Sequence, residues 1–417
     1  MDVLFIHQNF PGQFKHLAPA LAAIPGNRVK VLTMRECPEY PGIDVVRYGL
    51  TRGSSQNIHP FVAETETKAI RGEACARAAL ELRNKGFNPD VVIGHPGWGE
   101  MLFLRDVWPS AKIINYLEFF YKTQGADVGF DPEFDQDHDL DRAARLRMKN
   151  TCSLLSMEGA DWGLSPTNWQ LSTYPDHIRS RSSVIFDGIA TDIIKPNDDV
   201  RIELGKAGKV LTKRDEIITF VNRNLEPYRG FHIFMRALPD LLARRPNAHV
   251  IIVGGDKVSY GRALPEGQSY RQIMMQEVGA RLDLSRVHFI GNIPYGSFLN
   301  LMAISSTHVY LTYPFVLSWS MLESMSCGGL IIGSDTPPVR EVICDGENGL
   351  LVDFFSGPQI VDAVCRVLDS PDRLAGMRRA ARQTVLDRYD LMKHCLPRQI
   401  ELVETLARGG IPSSKAA

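Results

Sequence analysis

The chain has 417 residues, of which 44% are hydrophobic and 23% are charged, a composition typical of folded rather than disordered proteins. Because a single hydrophobic core stops growing at roughly 250–300 residues, this length favours two domains. The 47 basic and 48 acidic residues give a net charge of −1, which excludes a general attraction to nucleic acid or to an anionic membrane.

The sequence also lacks the patterns of exported and membrane-spanning proteins. Its first apolar run, residues 3–6, follows an acidic residue and predicts a β-strand rather than a signal peptide. No later window approaches the ~18 apolar residues of a transmembrane helix. The seven cysteines are odd in number, scattered and never spaced C-x-x-C, which favours reduced thiols over disulfides or a zinc site. We therefore expect a cytoplasmic protein.

Short β-branched runs alternate with helical patterns along the whole chain. In the first half the predicted strands are Val3–Ile6, Val29–Thr33, Val91–Gly94, Ile113–Tyr116, Gly163–Ser165 and Val184–Phe186. In the second half they are Ile217–Asn222, Val250–Val253, Val287–Ile290, Val309–Thr312, Leu330–Gly333 and Leu350–Val352. Strands separated by helices indicate βαβ units and parallel sheets, so we predict an α/β protein with two doubly wound halves.

Two polar segments interrupt this pattern. A turn at Asp187-Gly188 and the proline-broken stretch 194–199 predict a hinge near residues 187–200. Residues 127–141 carry seven acidic side chains with one glycine and one proline, which predicts an exposed loop that either stays solvated or orders against a substrate. The last residues, 413–417, are expected to be frayed.

The first candidate site follows the first predicted strand, in FPGQFKH at residues 10–16. Apolar residues at 14, 17, 18 and 21 recur at helical spacing, so Gly12 stands where a strand gives way to a helix. Ligands bind at this carboxyl edge of an open α/β sheet, and amides at a helix start favour phosphate. Gly12 is therefore a candidate phosphate contact, with a simple tight turn as the alternative. Pro19 lies within the predicted helix and is expected to kink it.

The second candidate site opens the second half, in VNRNLEPYRG at residues 221–230. A predicted strand delivers Arg223, and a short loop delivers Arg229 just before a helix. Two guanidinium groups at such a position can hold a diphosphate and neutralise the charge that grows on it as a sugar leaves. The alternative is a pair of solvated surface arginines, but their place at the end of the first strand of a domain favours the phosphate role.

The third candidate site lies in YLTYPFVLSWSMLESMSCGG at residues 310–329. Ser318 and Ser320 are suited to cap the helix that follows, and the amides of their loop can face an anion. Glu323, one turn into that helix, can accept hydrogen bonds from two neighbouring hydroxyls such as a ribose diol. Alternatively, Glu323 only complements the helix dipole.

Together these segments resemble the family 4 glycosyltransferases of GT-B fold, in the subgroup whose amino terminus contains an HQNFPGQF-like stretch. The markers of the second half are VNRNLEPYRG at 221–230, VHFIG at 287–291, YPFVLSWSMLE at 313–323, PVREVI at 338–343 and NGLLV at 348–352. The resemblance implies two Rossmann-like domains facing a central cleft. We predict an acceptor-side domain over residues 1–190, a donor-binding domain over 191–390, and a last helix at about 391–410 that packs back on the first domain.

The resemblance further implies a retaining transfer of a hexosyl group from a nucleotide-diphosphate sugar, with no cofactor and no metal. Arg223 and Arg229 match the residues that hold the donor diphosphate, and Glu323 matches the second Glu of the family's E-x7-E motif, which binds the ribose. Gly12 matches a glycine that approaches the phosphates. The remaining donor-binding positions implied by the match are Ile290 and Asn292, near the base, and the loop residues Leu317, Ser318, Trp319 and Ser320.

Two departures from the family pattern concern the sugar. The first Glu of E-x7-E falls on Phe315, which removes a hydroxyl partner. Relatives carry a His after the fourth strand of the first domain, where this chain offers Glu118 as the candidate catalytic group. His95, in GHPGWG at 94–99, is a second candidate that either orients substrate or is structural. Trp98, Tyr116 and Trp319 are candidate walls for a sugar ring or core residues.

Three other functions remain open at this point. Glu118 is compatible with an epimerase or hydrolase on the same fold, and the missing Glu at 315 is compatible with a non-catalytic nucleotide-sugar-binding protein. A NAD-dependent dehydrogenase is disfavoured because neither half contains the glycine fingerprint followed by an acidic residue. The base, the sugar, the acceptor and the oligomeric state are not determined by the sequence, and peripheral membrane contact stays open for a lipid-linked acceptor.

Overall fold

The computed structural model describes residues 1–134, 139–204, 208–370 and 372–412. The chain divides into two compact units, one formed by residues 1–188 and the segment from 391 onward, the other by residues 189–390. Each unit contains its own parallel sheet with helices around it. None of the described helices is long and apolar enough to cross a bilayer.

The sheet of the first unit has seven strands, and every neighbouring pair in it is parallel. The strands are β1 (Asp2–Ile6), β2 (Arg28–Thr33), β3 (Ile43–Arg47), β4 (Val91–Gly94), β5 (Lys112–Tyr116), β6 (Trp162–Ser165) and β7 (Ser182–Val184). Their spatial order is β3-β2-β1-β4-β5-β6-β7. Val3, Leu4, Phe5 and Ile6 of β1 are fully buried, as expected for a central strand covered by helices on both faces.

The helices of the first unit connect these parallel strands. They are α1 (Leu17–Ala22), α2 (Ala63–Asn84), α3 (Leu104–Val107), α4 (Leu140–Lys149), α5 (Thr151–Glu158), α6 (Asn168–Ser172) and α7 (Asp176–Arg179). Residues Gly12–Phe14 form a separate 3-10 turn ahead of α1. Pro19 is the third residue of α1, where a backbone N–H has no helical partner to lose, so the expected kink is wrong.

The second unit begins with an antiparallel hairpin, β8 (Arg201–Leu204) and β9 (Lys209–Thr212), and continues into a six-stranded parallel sheet. The strands of that sheet are β10 (Ile217–Asn224), β11 (His249–Gly255), β12 (Val287–Gly291), β13 (Thr307–Tyr310), β14 (Ile331–Ser334) and β15 (Leu350–Val352), in the spatial order β12-β11-β10-β13-β14-β15. The helices are α8 (Phe231–Arg244), α9 (Tyr270–Val278), α10 (Tyr295–Ile304), α11 (Trp319–Ser326), α12 (Pro337–Arg340), α13 (Gly357–Asp369) and α14 (Ala375–Arg388).

After the second unit the chain returns to the first. A π-helical turn, Leu391–Cys395, leads into α15 (Leu396–Ala407). Arg398 donates to the carbonyl of Val184 at 3.2 Å, and Gln399 donates to that of Phe186 at 2.9 Å. The last helix is therefore fixed to the end of β7.

Two Rossmann-like, doubly wound α/β units confirm the predicted fold class. The prediction missed β3 and the β8–β9 hairpin, and the predicted exposure of the acidic segment is wrong for Asp127 and Asp131, which are both buried. Residues 135–138 of that segment and the terminal residues 413–417 lie outside the described part of the chain.

Gly99 fixes the approach of α2 to the loop after β4. Its φ is +104°, and a Cβ there would lie 2.1 Å from the carbonyl oxygen of Lys68. We expect Gly99→Ala to lower the free energy of unfolding by about 2–4 kcal/mol, because positive φ and a backbone clash act together. Urea titration followed by tryptophan fluorescence measures this.

Gly86→Ala is the matched control. Gly86 also has a positive φ of +87°, but nothing lies within 4 Å of where its Cβ would stand. In this variant the free energy of unfolding should fall by only about 1–2 kcal/mol, the cost of a positive φ in a residue with a Cβ. An equal decrease in the free energy of unfolding of the two variants would contradict the close approach of the Lys68 backbone to Gly99.

Candidate functional site

In both units the strand order reverses beside the first strand of the parallel sheet. In the first unit β1 lies between β2 and β4, and in the second β10 lies between β11 and β13. At such a switch point the loops on the two sides lead away in opposite directions, which opens a crevice at the carboxyl edge of the strands. The candidate site residues of each unit are found at this edge.

His7 directly follows β1 and contacts Gly12. The φ of Gly12 is +49°, and a Cβ on it would lie 2.3 Å from His7 Nε2. Any other residue at position 12 would displace the imidazole ring. Gly12 therefore has a packing role in the first unit, and its phosphate contact stays a prediction.

A chain of four side chains runs along the carboxyl edge of the first sheet. His7 Nε2 lies 3.0 Å from Gln13 Oε1, and Gln13 Nε2 donates to Glu118 Oε1 at 3.2 Å. The other carboxylate oxygen, Glu118 Oε2, lies 3.2 Å from His95 Nε2. The structure thus brings together Glu118 and His95, which the sequence proposed separately, and adds His7 and Gln13.

Backbone contacts fix the tautomers of both imidazoles. Nδ1 of His7 accepts the amide of Asn9 at 3.1 Å, and Nδ1 of His95 accepts the amide of Gly97 at 3.0 Å. A nitrogen that accepts carries no proton, so in each ring the proton is on Nε2. His95 therefore donates to Glu118, and His7 donates to Gln13.

These contacts set the charge of the carboxylate. Burial works to raise the pKa of Glu118, but the hydrogen bond and field of His95, together with His7 and Gln13, hold it below its ordinary value. The Glu118 side chain is still 34% exposed. At neutral pH it is an ionised, accessible acceptor of hydrogen bonds.

Aromatic rings surround His95. The imidazole stacks on Trp98 with ring centroids 4.2 Å apart and an interplanar angle of 23°. Tyr116 lies 6.0 Å away and is buried, and its hydroxyl donates to Asp187 at 2.9 Å. Of the two predicted apolar walls in this unit, Tyr116 is held within the core and Trp98 remains partly exposed.

In the second unit Arg229 is buried at the carboxyl edge of β10 and β13. It lies in a 3-10 turn before α8, and its Nη1 donates to Thr312 Oγ1 at 2.7 Å and to the Tyr310 hydroxyl at 3.4 Å. Gly230 has a φ of +68°, and a Cβ on it would lie 2.4 Å from the Cβ of Leu311, so the glycine allows α8 to begin against Leu311. Arg223 is the penultimate residue of β10 and is exposed, so the two guanidinium groups differ in burial.

The Tyr310 hydroxyl links Arg229 to the start of α11. It accepts the amide of Ser318 at 2.8 Å, and Ser318 caps α11 by accepting the amide of Ser320 at 3.3 Å. Leu317 is buried beneath this turn, whereas Trp319 and Ser320 are partly exposed. The loop predicted to receive an anion is thus tied to the buried arginine.

Glu323 lies within α11 and is buried. Its Oε1 accepts the Tyr295 hydroxyl at 2.5 Å, a contact from the first residue of α10. Ile290, the penultimate residue of β12, is half-buried, and Asn292, just after the strand, is exposed. The predicted ribose and base contacts therefore lie after β12 and β13, on the same edge of the sheet as Arg229.

Phe315, the position at which the family carries a Glu, is buried in a group of aromatic rings. Its ring centroid lies 5.4 Å from that of Tyr228 and 5.0 Å from that of Tyr260. The Arg229 guanidinium carbon lies 5.8 Å from the Phe315 ring and 5.4 Å from the Tyr260 ring, within cation–π range. Phe315 therefore packs beside the cation.

Family models match both units. The model described as "Glycosyl transferase family 4 group" covers residues 25–194, and that described as "Glycosyl transferases group 1" covers residues 205–384. The chain belongs to the family 4 glycosyltransferases.

Individual relatives are distant. The chain is similar to D-inositol 3-phosphate glycosyltransferase of Corynebacterium glutamicum (strain R), with 25% identity over 284 residues, which are 67% of this chain and 62% of that protein. It thus matches less than two thirds of that relative's length.

Solved structures confirm the GT-B fold class. Sucrose-phosphate synthase from Thermosynechococcus elongatus has a TM-score of 0.73 at 16% identity, over 98% of this chain and 100% of that one. Anabaena Alr3699/HepE in complex with UDP-glucose has a TM-score of 0.68 at 16% identity, with the same coverage of both chains.

Three polar groups of this family 4 glycosyltransferase escaped the sequence reasoning. His7 and Gln13 lie inside the HQNFPGQF stretch, and their place directly after β1 was the available signal. Glu226 is the third: its carboxylate accepts the amides of Ser259, Tyr260 and Gly261 at 2.9–3.1 Å and so positions the Tyr260 ring. Only the folded chain brings residues 226 and 259–261 together.

The neutral state of His7 predicts a pH dependence of stability. Burial, with the field of His95, lowers the pKa of His7 from 6.5 to about 4. As the pH falls below 6.5, His7 takes up a proton in the unfolded state before it does so in the folded state. The stability contributed by neutral His7 is therefore present above pH 6.5 and is lost as the pH falls towards 4. When the pH is lowered from 7 to 5, the free energy of unfolding of His7→Gln should fall by about 2 kcal/mol less than that of wild type.

The measurement is urea unfolding at each pH followed by tryptophan fluorescence, which reports mainly on the first unit because four of the five tryptophans are there. Glu118 does not interfere, since its pKa lies below the ordinary value of 4.5. His177→Gln, at an exposed position, is the control and should follow wild type. The same pH slope in His7→Gln and wild type would refute the assignment.

Proposed function

We propose that the chain is a retaining glycosyltransferase that moves a hexosyl group from a nucleotide-diphosphate sugar to an acceptor hydroxyl. The observation that carries the proposal is the buried guanidinium of Arg229 beside the capped start of α11, at the switch point of the second sheet. The names of similar proteins support it, since one is a D-inositol 3-phosphate glycosyltransferase and another was solved with UDP-glucose.

The second unit binds the donor in this proposal. Arg229 donates to neutral hydroxyls, while the nearby Glu226 carboxylate accepts backbone amides, so the guanidinium charge remains available to a diphosphate. Exposed Arg223 adds a second cation. The amides at the start of α11 contribute further donors. Glu323 would accept the ribose hydroxyls once Tyr295 gives up its hydrogen bond.

These groups also provide the chemistry of the leaving group. As the bond from the anomeric carbon to the diphosphate breaks, negative charge grows on the diphosphate oxygens. Preorganised guanidinium and amide donors stabilise that charge without reorganisation. Because the arginines supply the positive charge that a divalent ion supplies elsewhere, we propose transfer without a metal and without a cofactor.

The first unit provides the acceptor side. We propose that Glu118, ionised and partly exposed, accepts a hydrogen bond from the acceptor hydroxyl, while His95 and Gln13 hold the carboxylate in place. A carboxylate in this position could instead activate water, which would make the protein a hydrolase. That observation keeps hydrolysis as the second candidate function.

Loss of Arg223 is expected to weaken donor binding. Arg223→Ala removes a charge-assisted contact worth about 1.5–3 kcal/mol, so the Kd for the donor nucleoside diphosphate should rise about 10- to 100-fold. Because Arg223 is exposed, the variant should fold normally. Isothermal titration with UDP, GDP and ADP, one of which should bind wild type, measures the effect.

Arg236→Ala is the matched control, because Arg236 is an arginine of the same unit that pairs with Glu277 at 2.6 Å on α9. It should bind the nucleotide as wild type does. Equal affinity in Arg223→Ala and wild type would contradict the diphosphate assignment. Turnover is measured in excess EDTA, where complete loss of transfer would contradict metal independence.

Glu118→Gln should lower turnover while donor affinity is unchanged. The amide keeps the shape and can still accept from His95, but it lacks the charge that attracts the acceptor hydroxyl proton. We expect kcat to fall about 100-fold. Nucleotide release with and without acceptor separates transfer from hydrolysis.

The control is Glu73→Gln, which removes an exposed carboxylate paired with Arg77 on α2. Wild-type turnover in Glu118→Gln would rule out the proposed role. Release at the same rate without any acceptor would favour the hydrolase.

A further inference from the structure

The first unit contains a cavity of about 350 Å³ beside Glu118 and His95. Pockets for small ligands commonly measure ~300–1,000 Å³, so this one suits a single sugar-sized molecule. Trp98 and Tyr121 contribute ring surfaces to its wall, which fits the apolar face of a sugar or cyclic polyol. The carboxylate of Glu118 lies in the same wall.

Three cationic side chains are among the residues that line the cavity. Lys68 and Arg71 come from α2, where positions 64, 67, 68 and 71 share one face of the helix. Lys149, the last residue of α4, completes the group. Two carboxylates line the cavity as well: Glu64 pairs with Lys68 at 2.8 Å and is half exposed, and Glu118 is held by His95 and Gln13.

Besides the Glu64 ion pair, uncharged groups hold the two lysines. The Lys68 ammonium donates to the carbonyl of Lys149 at 3.2 Å, and the Lys149 ammonium lies 3.7 Å from the centre of the Tyr121 ring. Burial, with repulsion from Lys68, lowers the pKa of Lys149 against the opposing fields of Glu64 and Asp127. Among the described residues, the buried Nε of Arg71 has no hydrogen-bond partner, although the field of Arg71 reaches the buried Glu100 carboxylate.

We propose that this cavity receives the acceptor and that the acceptor carries a phosphate group bound by Lys68, Arg71 and Lys149. This deepens the proposed function and rests on it. A phosphate has several oxygens at tetrahedral angles and can contact three separate cations, and the Arg71 guanidinium suits it bidentately. The phosphate would leave the sugar or polyol ring against Trp98 and one hydroxyl towards Glu118.

A second groove, of about 570 Å³, provides a contrast. Its lining residues from α2 include Glu73, Arg77 and Leu80, which lie on the opposite face of the helix at 100° per residue. None of the groups along the carboxyl edge of the sheet lines it. Its arginines therefore serve as controls for the cations of the acceptor cavity.

The test is titration of the full chain with D-glucose 6-phosphate, D-glucose and inorganic phosphate, by calorimetry. We expect the sugar phosphate to bind at least tenfold more tightly than glucose. Arg71→Gln and Lys149→Gln should each weaken it at least tenfold, whereas Arg77→Gln should not. If Arg71→Gln fails to fold by circular dichroism, Lys149→Gln decides the result.

A second arm separates a free sugar phosphate from a lipid headgroup. Phosphatidylcholine vesicles with and without phosphatidylinositol are tested for cosedimentation, and binding that needs phosphatidylinositol and Arg71 supports the site with a lipid source. Equal affinity for glucose and its phosphate, unchanged affinity in both variants, or no binding in either arm would overturn the proposal.

These outcomes are distinct from failure of the proposed function. If no nucleotide sugar binds wild type but the phosphate titrations behave as expected, transfer fails and the phosphate site stands. If UDP or another diphosphate binds and is released on transfer while Arg71→Gln has no effect, only the phosphate site fails. Titration of Arg71→Gln with UDP, GDP and ADP is the remaining control, and the nucleotide affinity should equal that of wild type because Arg71 belongs to the acceptor cavity.

Discussion

The reversal of strand order beside β1 and beside β10 determines where chemistry can occur in this protein. Parallel strands have all their carboxyl ends at one edge, and only at the reversal do the following loops separate enough to admit a ligand. In the first unit the groups gathered there are His7, Glu118 and His95. In the second they are Arg229 and the start of α11. The remaining structure holds these two edges in place.

The two edges differ in electrostatic design. In the first, two neutral imidazoles and an amide orient a single carboxylate, which places a negative charge where we propose that the acceptor hydroxyl binds. In the second, neutral hydroxyls of Tyr310 and Thr312 orient a buried guanidinium. Each edge thus holds a charge with uncharged partners. The Glu226 carboxylate, whose field also reaches Arg229, has its own hydrogen bonds to the amides of residues 259–261.

The sequence predicted most of the sheet because central strands such as β1 and β11 are continuous apolar runs. It missed β3, whose residues Ile43–Arg47 are partly buried or exposed at the sheet edge, and the β8–β9 hairpin, where half of the strand residues are exposed. It named Glu118 and His95, but not their contact, since β4 and β5 bring them together across 23 residues of sequence. Glu226 could not be predicted because its role depends on the backbone of residues 259–261.

Phe315 affects both the charge of the second edge and the way a sugar can be held there. A Glu at this position would place a second charge within reach of the Arg229 guanidinium, where it would compete with a diphosphate for the cation. The phenyl ring instead packs with Tyr228 and Tyr260 and offers its face to the guanidinium. A ring attracts the cation more weakly than a carboxylate would and leaves its N–H donors free of a charged partner. Under the proposed function, the ring in place of a carboxylate would favour diphosphate binding but would remove a hydrogen-bond partner of the sugar, so other groups would have to select the sugar.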